Sequence, residues 1–232
     1  MPDPMRAEAP GTRLWLAALA LALWPVLAVH AGLAVSMQKA YVPACNPYWD
    51  GCTSISRAGR HGLANPIYQG LLLPYAALLA VYWHLAQGWL RSLNDLGSRA
   101  MQVAGTLGAV FLALYLTFLG SEGEIYQLLR RYGIYVYFGG TYIAQVLLTG
   151  RLRQAATAEQ RPSLAAPARI QLGLCLLVLL IGLLTVAAYA LPVDRDRLQN
   201  VSEWWSALLL QGHVLAIALC WRRTGFVIDL RT

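Results

Sequence analysis

Reactive side chains concentrate between Cys45 and Gly62. Cys45 and Cys52 frame six residues, and Thr53-Ser54-Ile55-Ser56-Arg57-Ala58-Gly59-Arg60-His61-Gly62 follows with hydroxyls, two guanidiniums, an imidazole and two glycines. Guanidinium forks match phosphate oxygens bidentately, and glycine-flanked backbone can turn N–H groups towards an anion. The segment therefore reads as an anionic headgroup site in which Arg57 and Arg60 hold phosphate. Ser54 or Ser56 is the candidate nucleophile and His61 the candidate general base. An equally good account leaves both arginines on a surface loop facing lipid phosphates. Neither a Gly-x-Ser-x-Gly elbow nor a His-x-x-x-x-Asp acyltransferase pattern supports the nucleophile.

Three further groups could join this chemistry. Glu203 precedes an apolar run, where it can either cap a helix in its first turn or act as an acid. Arg130 and Arg131 could bind a headgroup, or pair with Glu122 and Glu124 as a solvated charge cluster. Pro47, Asp50 and Gly51 let the chain turn between Cys45 and Cys52, so a disulfide is expected on an oxidising face, with two free thiols as the alternative. A zinc site lacks a second cysteine pair, and no metal or cofactor is expected. Cys175 and Cys220 read as small packing residues inside apolar runs. His84 and His213 could be imagined as haem ligands, but counting 1.5 Å per residue puts them at depths about 8 Å apart. His84 instead reads as part of an aromatic belt with Tyr82 and Trp83, and His213 as hydrogen-bonded to a neighbouring helix.

The elements that must carry these residues follow from composition. Of 232 residues 58% are hydrophobic and 12% charged, with mean hydropathy +0.49, too apolar for an ordinary soluble domain. Stretches of about 20 residues almost free of charge have the length that crosses a hydrocarbon core. No regular apolar/polar alternation suggests a β-barrel. The chain is expected to be an all-α polytopic membrane protein: one domain, residues 1–232, a six-transmembrane-helix bundle with an external disulfide-closed loop. The spans are placed near 14–35, 67–90, 101–120, 132–149, 169–191 and 203–221, and the cap loop at 36–66. The fourth is the least apolar, with Tyr132, Tyr135, Tyr137 and Tyr142 beside Gly139 and Gly140.

Cytoplasmic segments keep the excess of Lys and Arg. One side holds 11 basic residues (Arg6 and Arg13, Arg91 and Arg99, Arg151 to Arg169, Arg222, Arg223 and Arg231), and the other holds seven. Both termini are therefore expected in the cytoplasm. Arg13 and the apolar run to Val29-His30-Ala31 could also be read as a signal peptide, but the run is longer than a usual one. The net charge of +7 is then explained by anionic lipid, without nucleic acid. Seventeen arginines to one lysine, with abundant Ala and Leu, point to a bacterial source and its inner membrane.

Ser54-Ile55-Ser56 followed by a glycine turn, Tyr82-Trp83-His84-Leu85, the run Tyr142 to Leu152, Glu203-Trp204 and the closing Trp221-Arg222-Arg223 together give a resemblance over most of the chain. In that order the sequence resembles the Frag/DRAM/Sfk family of six-span membrane proteins, which includes a post-GPI-attachment lipid-remodelling factor. Glu203 matches the family's acidic position, and the Cys45/Cys52 ring is a departure. The resemblance implies work on membrane lipid, either acyl-chain remodelling or non-catalytic sensing and assembly. The implied partner is a phospholipid or lysolipid, or a membrane protein or second copy of the chain. A transporter is the remaining alternative, without matching broken spans or an inverted repeat to support it.

Overall fold

The computed structural model describes residues 13–93, 96–158 and 162–227. Arg6, Arg161 and Arg231, counted above for orientation, lie outside them. Among the described residues the chain is all helix: α1 (Leu14–Gln38), a single turn α2 (Ile55–Ala58), α3 (Ala64–Ser92), α4 (Arg99–Thr117), α5 (Glu124–Ala158), α6 (Pro162–Ala188) and α7 (Arg195–Thr224). Local chemistry sets the starts. Ser98 Oγ accepts from Met101 N at the head of α4, and Asp194 Oδ1 accepts from Arg197 N at the head of α7, satisfying donors a helix leaves open. Gly225, at φ 63°, ends α7 in the left-handed conformation favoured by glycine.

The six long helices close a ring. α1 packs on α3, α3 on α4, α4 on α5, α5 on α6, α6 on α7 and α7 back on α1. Five of them, all but α5, are long and apolar enough to cross a membrane. α6 carries little of the core and turns Leu176, Leu180, Leu183, Leu184 and Val186 outward, as a helix apolar on every side does when its surroundings are apolar too.

α5 runs 35 residues and covers the expected fourth span at 132–149, yet it is not among the five apolar helices. Its polarity lies on the face turned into the ring: Tyr137, Thr141, Gln145 and Thr149, four apart, are all buried. Gln145 Nε2 donates to Leu210 O at 2.9 Å, and Thr149 Oγ1 lies 3.0 Å from His213 Nε2. These pairs tie α5 to α7 in the half of the ring remote from α2.

The disulfide-closed loop and α2 cover one end. Cys45 and Cys52 are bonded, and Cys175 and Cys220 are free, buried thiols. Arg197, Asn200, Trp204 and Trp205 on α7 donate to the carbonyls of Trp49, Gly51, Thr53 and Tyr48. Those donors recur at helical spacing, so one stripe of α7 binds the loop backbone. Gly51 has φ +61°, and a Cβ there would run into the Arg197 backbone.

Candidate functional site

α2 brings the predicted residues to this end, and its position is fixed from three sides. Ser54 Oγ accepts from Arg57 N at 3.1 Å and caps the turn. At its other end, Ser36 Oγ of α1 donates to Ala58 O at 2.5 Å, and Asn65 Nδ2 of α3 donates to Gly59 O at 3.3 Å. The ring of Tyr68 lies against Gly32 and Gly59, where an added Cβ would stand 2.6 Å from it. Glycines on both sides allow that close approach.

Below α2 a cavity of about 770 Å³ opens between α2, α5 and α7. Ser54, Ser56, Arg57, Arg60, Arg130, Arg131 and Glu203 all line it, so seven of the eight candidate residues from separate stretches of chain meet in one space. His61 does not. It is exposed, with its ring 6.5 Å from that of Tyr41, because the turn after α2 carries it to the outer face of the cap. The hydroxyls are also engaged: Ser54 caps α2, and Ser56 Oγ accepts from Arg60 Nη2 at 2.9 Å.

The arginines divide in role. Arg130 Nη1 donates to Phe118 O at 3.1 Å and also to Ser121 O, so this side chain closes the carbonyl end of α4. Burial, and then the neighbouring Arg60 guanidinium, push Arg130 below the usual arginine value. Arg60 Nε is buried without a hydrogen-bond partner. Arg57 and Arg131 are exposed at the cavity's mouth. Arg60 and Arg130, close enough for one charge to act on the other, favour an anion between them.

Glu203 is not the first-turn cap that its place before an apolar run suggested. Asp194 starts α7 two turns earlier, so Glu203 lies well inside the helix. Its carboxyl group lines the cavity together with Ser54 and Ser56 at the start of α2.

Tyr115 is the residue that pattern reading missed. It is 3% exposed, and its hydroxyl has no hydrogen-bond partner, although Ser56 lies beside it. Together with Ile134, Phe138 and Glu203 it also lines a second space, a largely apolar slot of about 60 Å³ that continues inward past Tyr68, Leu72, Tyr75 and Tyr137. At the floor of the slot the Tyr75 hydroxyl and the Gln211 amide are hydrogen-bonded, with Gln211 Nε2 donating at 3.1 Å. A polar basin rimmed by arginine and an apolar slot thus share Tyr115 as part of a common wall. In an apolar run, a tyrosine gives no signal that separates such a junction from an interface anchor.

Two other expectations change. Tyr82 and Trp83 are 2% and 0% exposed, packed inward against Trp221 and Gly105, so they form no aromatic belt with the exposed His84. His213 does bond a neighbouring helix, through Thr149 of α5. Among the described residues no group of three His, Cys, Asp or Glu side chains could hold a metal ion. Comparison with protein-family models, with curated proteins and with solved structures finds no match.

Proposed function

We propose that the chain is a six-span protein of the bacterial inner membrane, with the α2 end external and both termini cytoplasmic, that binds an anionic phospholipid or lysolipid. The arginine count supports the orientation. α5 is read as the sixth span because it closes the ring and turns its polar face inward. One observation carries the ligand class: Tyr115 Oη and Arg60 Nε, both buried and without partners, line the arginine-rimmed basin, and Tyr115 also lines the apolar slot beside it. A headgroup phosphate would supply the missing acceptors, and an acyl chain would enter between Ile134 and Phe138. Buried donors are rarely left unmatched without a ligand or water to satisfy them.

The resemblance to the Frag/DRAM/Sfk family supports a role in acyl-chain remodelling. A second reading, a non-catalytic lipid sensor or assembly partner, has its own support: His61 stands outside the cavity, and both serines already serve α2 or Arg60. The two share the binding site and differ in the product.

Native mass spectrometry on gently solubilised protein, with lipid extraction, tests both. Wild type should retain a specific phospholipid or lysolipid that the Arg57→Ala/Arg60→Ala/Glu203→Ala variant loses. Acyl-altered lipid generated by wild type decides for remodelling, and unaltered bound lipid decides for sensing. Equal retention by both proteins removes the site.

A further inference from the structure

A second basic groove lies at the opposite end of the ring, on the outer face of the α3/α4 pair. It measures about 460 Å³. His84 and Arg91 supply one wall from α3, while Arg99 and Gln102 supply the other from α4. Arg91 folds over the α3–α4 turn, with its Cγ 2.9 Å and its Nε 3.3 Å from where a Gly97 Cβ would stand, and this carries its guanidinium towards α4. His84 Nδ1 is 3.0 Å from Ala80 O and donates to it, which leaves Nε2 facing outward. Gly88 falls on the stripe between His84 and Arg91, and nothing lies within 4 Å of its missing Cβ, so the floor between the two side chains is open. Among the described residues that line the groove there is no carboxylate.

Away from the charges the groove turns apolar. Val103, Leu107 and Val110 continue it along α4 at helical spacing and are exposed by 65%, 47% and 56%. The buried Thr106 hydroxyl among them has no partner. From Arg99 to Val110 the helix rises about 16 Å, close to half of a hydrocarbon core of roughly 30 Å. Cations at one end and half a bilayer's depth of apolar ladder beyond them have the dimensions of one leaflet's lipid.

We infer that the Arg91/Arg99 groove is a second lipid site, which holds an anionic phospholipid of the leaflet opposite the α2 cavity. Its phosphate sits between the two guanidiniums and Gln102. An acyl chain lies along Val103, Leu107 and Val110. Only α3 and α4 need cross the bilayer, and both are among the five helices long and apolar enough to do so. The inference therefore stands apart from the fate of the external cavity.

The test uses the full chain in nanodiscs of phosphatidylcholine with a minor fraction of phosphatidylglycerol. Retained lipid is counted by native mass spectrometry on release. In the Arg57→Ala/Arg60→Ala background, where the α2 cavity no longer contributes, the protein should keep phosphatidylglycerol above its bulk fraction, and adding Arg91→Gln/Arg99→Gln should lower that retention about thirtyfold, for two charges removed near the headgroups. Arg222→Gln/Arg223→Gln in the same background, which removes two charges at the same end outside the groove, should leave it unchanged. Equal losses in the Arg222/Arg223 and Arg91/Arg99 variants would reduce the groove to general charge attraction and overturn the inference. So would displacement of the lipid by millimolar inorganic phosphate, which would make this a free-anion site.

Discussion

Asn200 Nδ2 donates to the carbonyl oxygen of Gly51 at 2.7 Å, joining the disulfide-closed loop to the middle of a stripe of α7 donors. The contact is buried, since Asn200 is 7% exposed. Removal of the donor leaves the Gly51 carbonyl without a partner, at a cost of about 1–3 kcal/mol. Asn200→Ala should therefore lower the unfolding midpoint in detergent. Gly51→Ala should do so at least as strongly, because the new Cβ meets both a positive φ and the Arg197 backbone. An unchanged midpoint in both variants would show that the loop adds nothing to the stability of the ring.

The Cys45–Cys52 bond acts on the same loop from the other side. The bond spans a sequence separation of seven, a small ring, for which chain entropy gives about 2–3 kcal/mol. Cys45→Ser/Cys52→Ser should lower stability by that amount and expose the loop to protease. Reductant should reproduce both effects in wild type while leaving the double variant unaltered. A reductant effect of equal size in the variant would place the sensitivity elsewhere.

Much of this end could be read in the sequence, because its chemistry is local and charged. Arg57, Arg60 and Ser56 stand out as a run, and Cys45 and Cys52 announce their own closure. What the run could not show is direction: α2 is one turn long, so Arg60 faces inward while His61, a single residue later, faces out. The span containing Glu203 was legible as an apolar run, but the helix starts at Arg195, eight residues earlier than that run, and this changes Glu203 from a cap into a cavity residue inside the helix. α5 was the hardest element to read, since Gln145 and Thr149 lower its hydropathy yet find partners in Leu210 and His213, some 65 residues away. Tyr115 was invisible for the same reason: being unpartnered is a property of the packed ring and leaves no trace in residue type.

Tyr115→Phe separates stability from binding. A buried hydroxyl without a partner costs about 1–3 kcal/mol, so deleting it should leave the ligand-free protein as stable or more stable. The same change should weaken lipid retention in the α2 cavity several-fold, because the phosphate loses a donor. Unfolding in detergent and retained-lipid counts, made on one preparation, read the two effects. Loss of stability together with unchanged lipid would mean that the hydroxyl serves the fold alone.

Tyr48 gives the cap a pH dependence. Its hydroxyl lies 3.2 Å from His30 Nε2, its ring packs against His30, Trp204 and Trp205, and burial raises its pKa above the usual tyrosine value. A raised folded-state value means that the contribution is complete below about pH 10, the unfolded value, and is lost as pH rises through the folded one. Wild type should lose cap stability at alkaline pH above about 10, followed by fluorescence of Trp204 and Trp205. Tyr48→Phe should flatten that loss. The same alkaline slope in Tyr48→Phe would assign it to another group.

Thr149→Val tests how α5 is held in the ring. Thr149 Oγ1 lies 3.0 Å from His213 Nε2 and 3.5 Å from Gln171 Oε1, and is the point where α5, α6 and α7 meet. Valine keeps the shape and removes the hydroxyl. His213 is fully buried and its Nδ1 already has no partner, so the variant leaves both ring nitrogens unmatched in an apolar setting. A cost of about 1–3 kcal/mol follows. His213→Leu in the Thr149→Val background should recover part of it, because replacing both members of a buried polar pair by apolar groups of similar size removes the stranded atom. Additive losses in the double variant, with no recovery, would show that His213 contributes through packing and that the hydrogen bond does not hold α5 to α7.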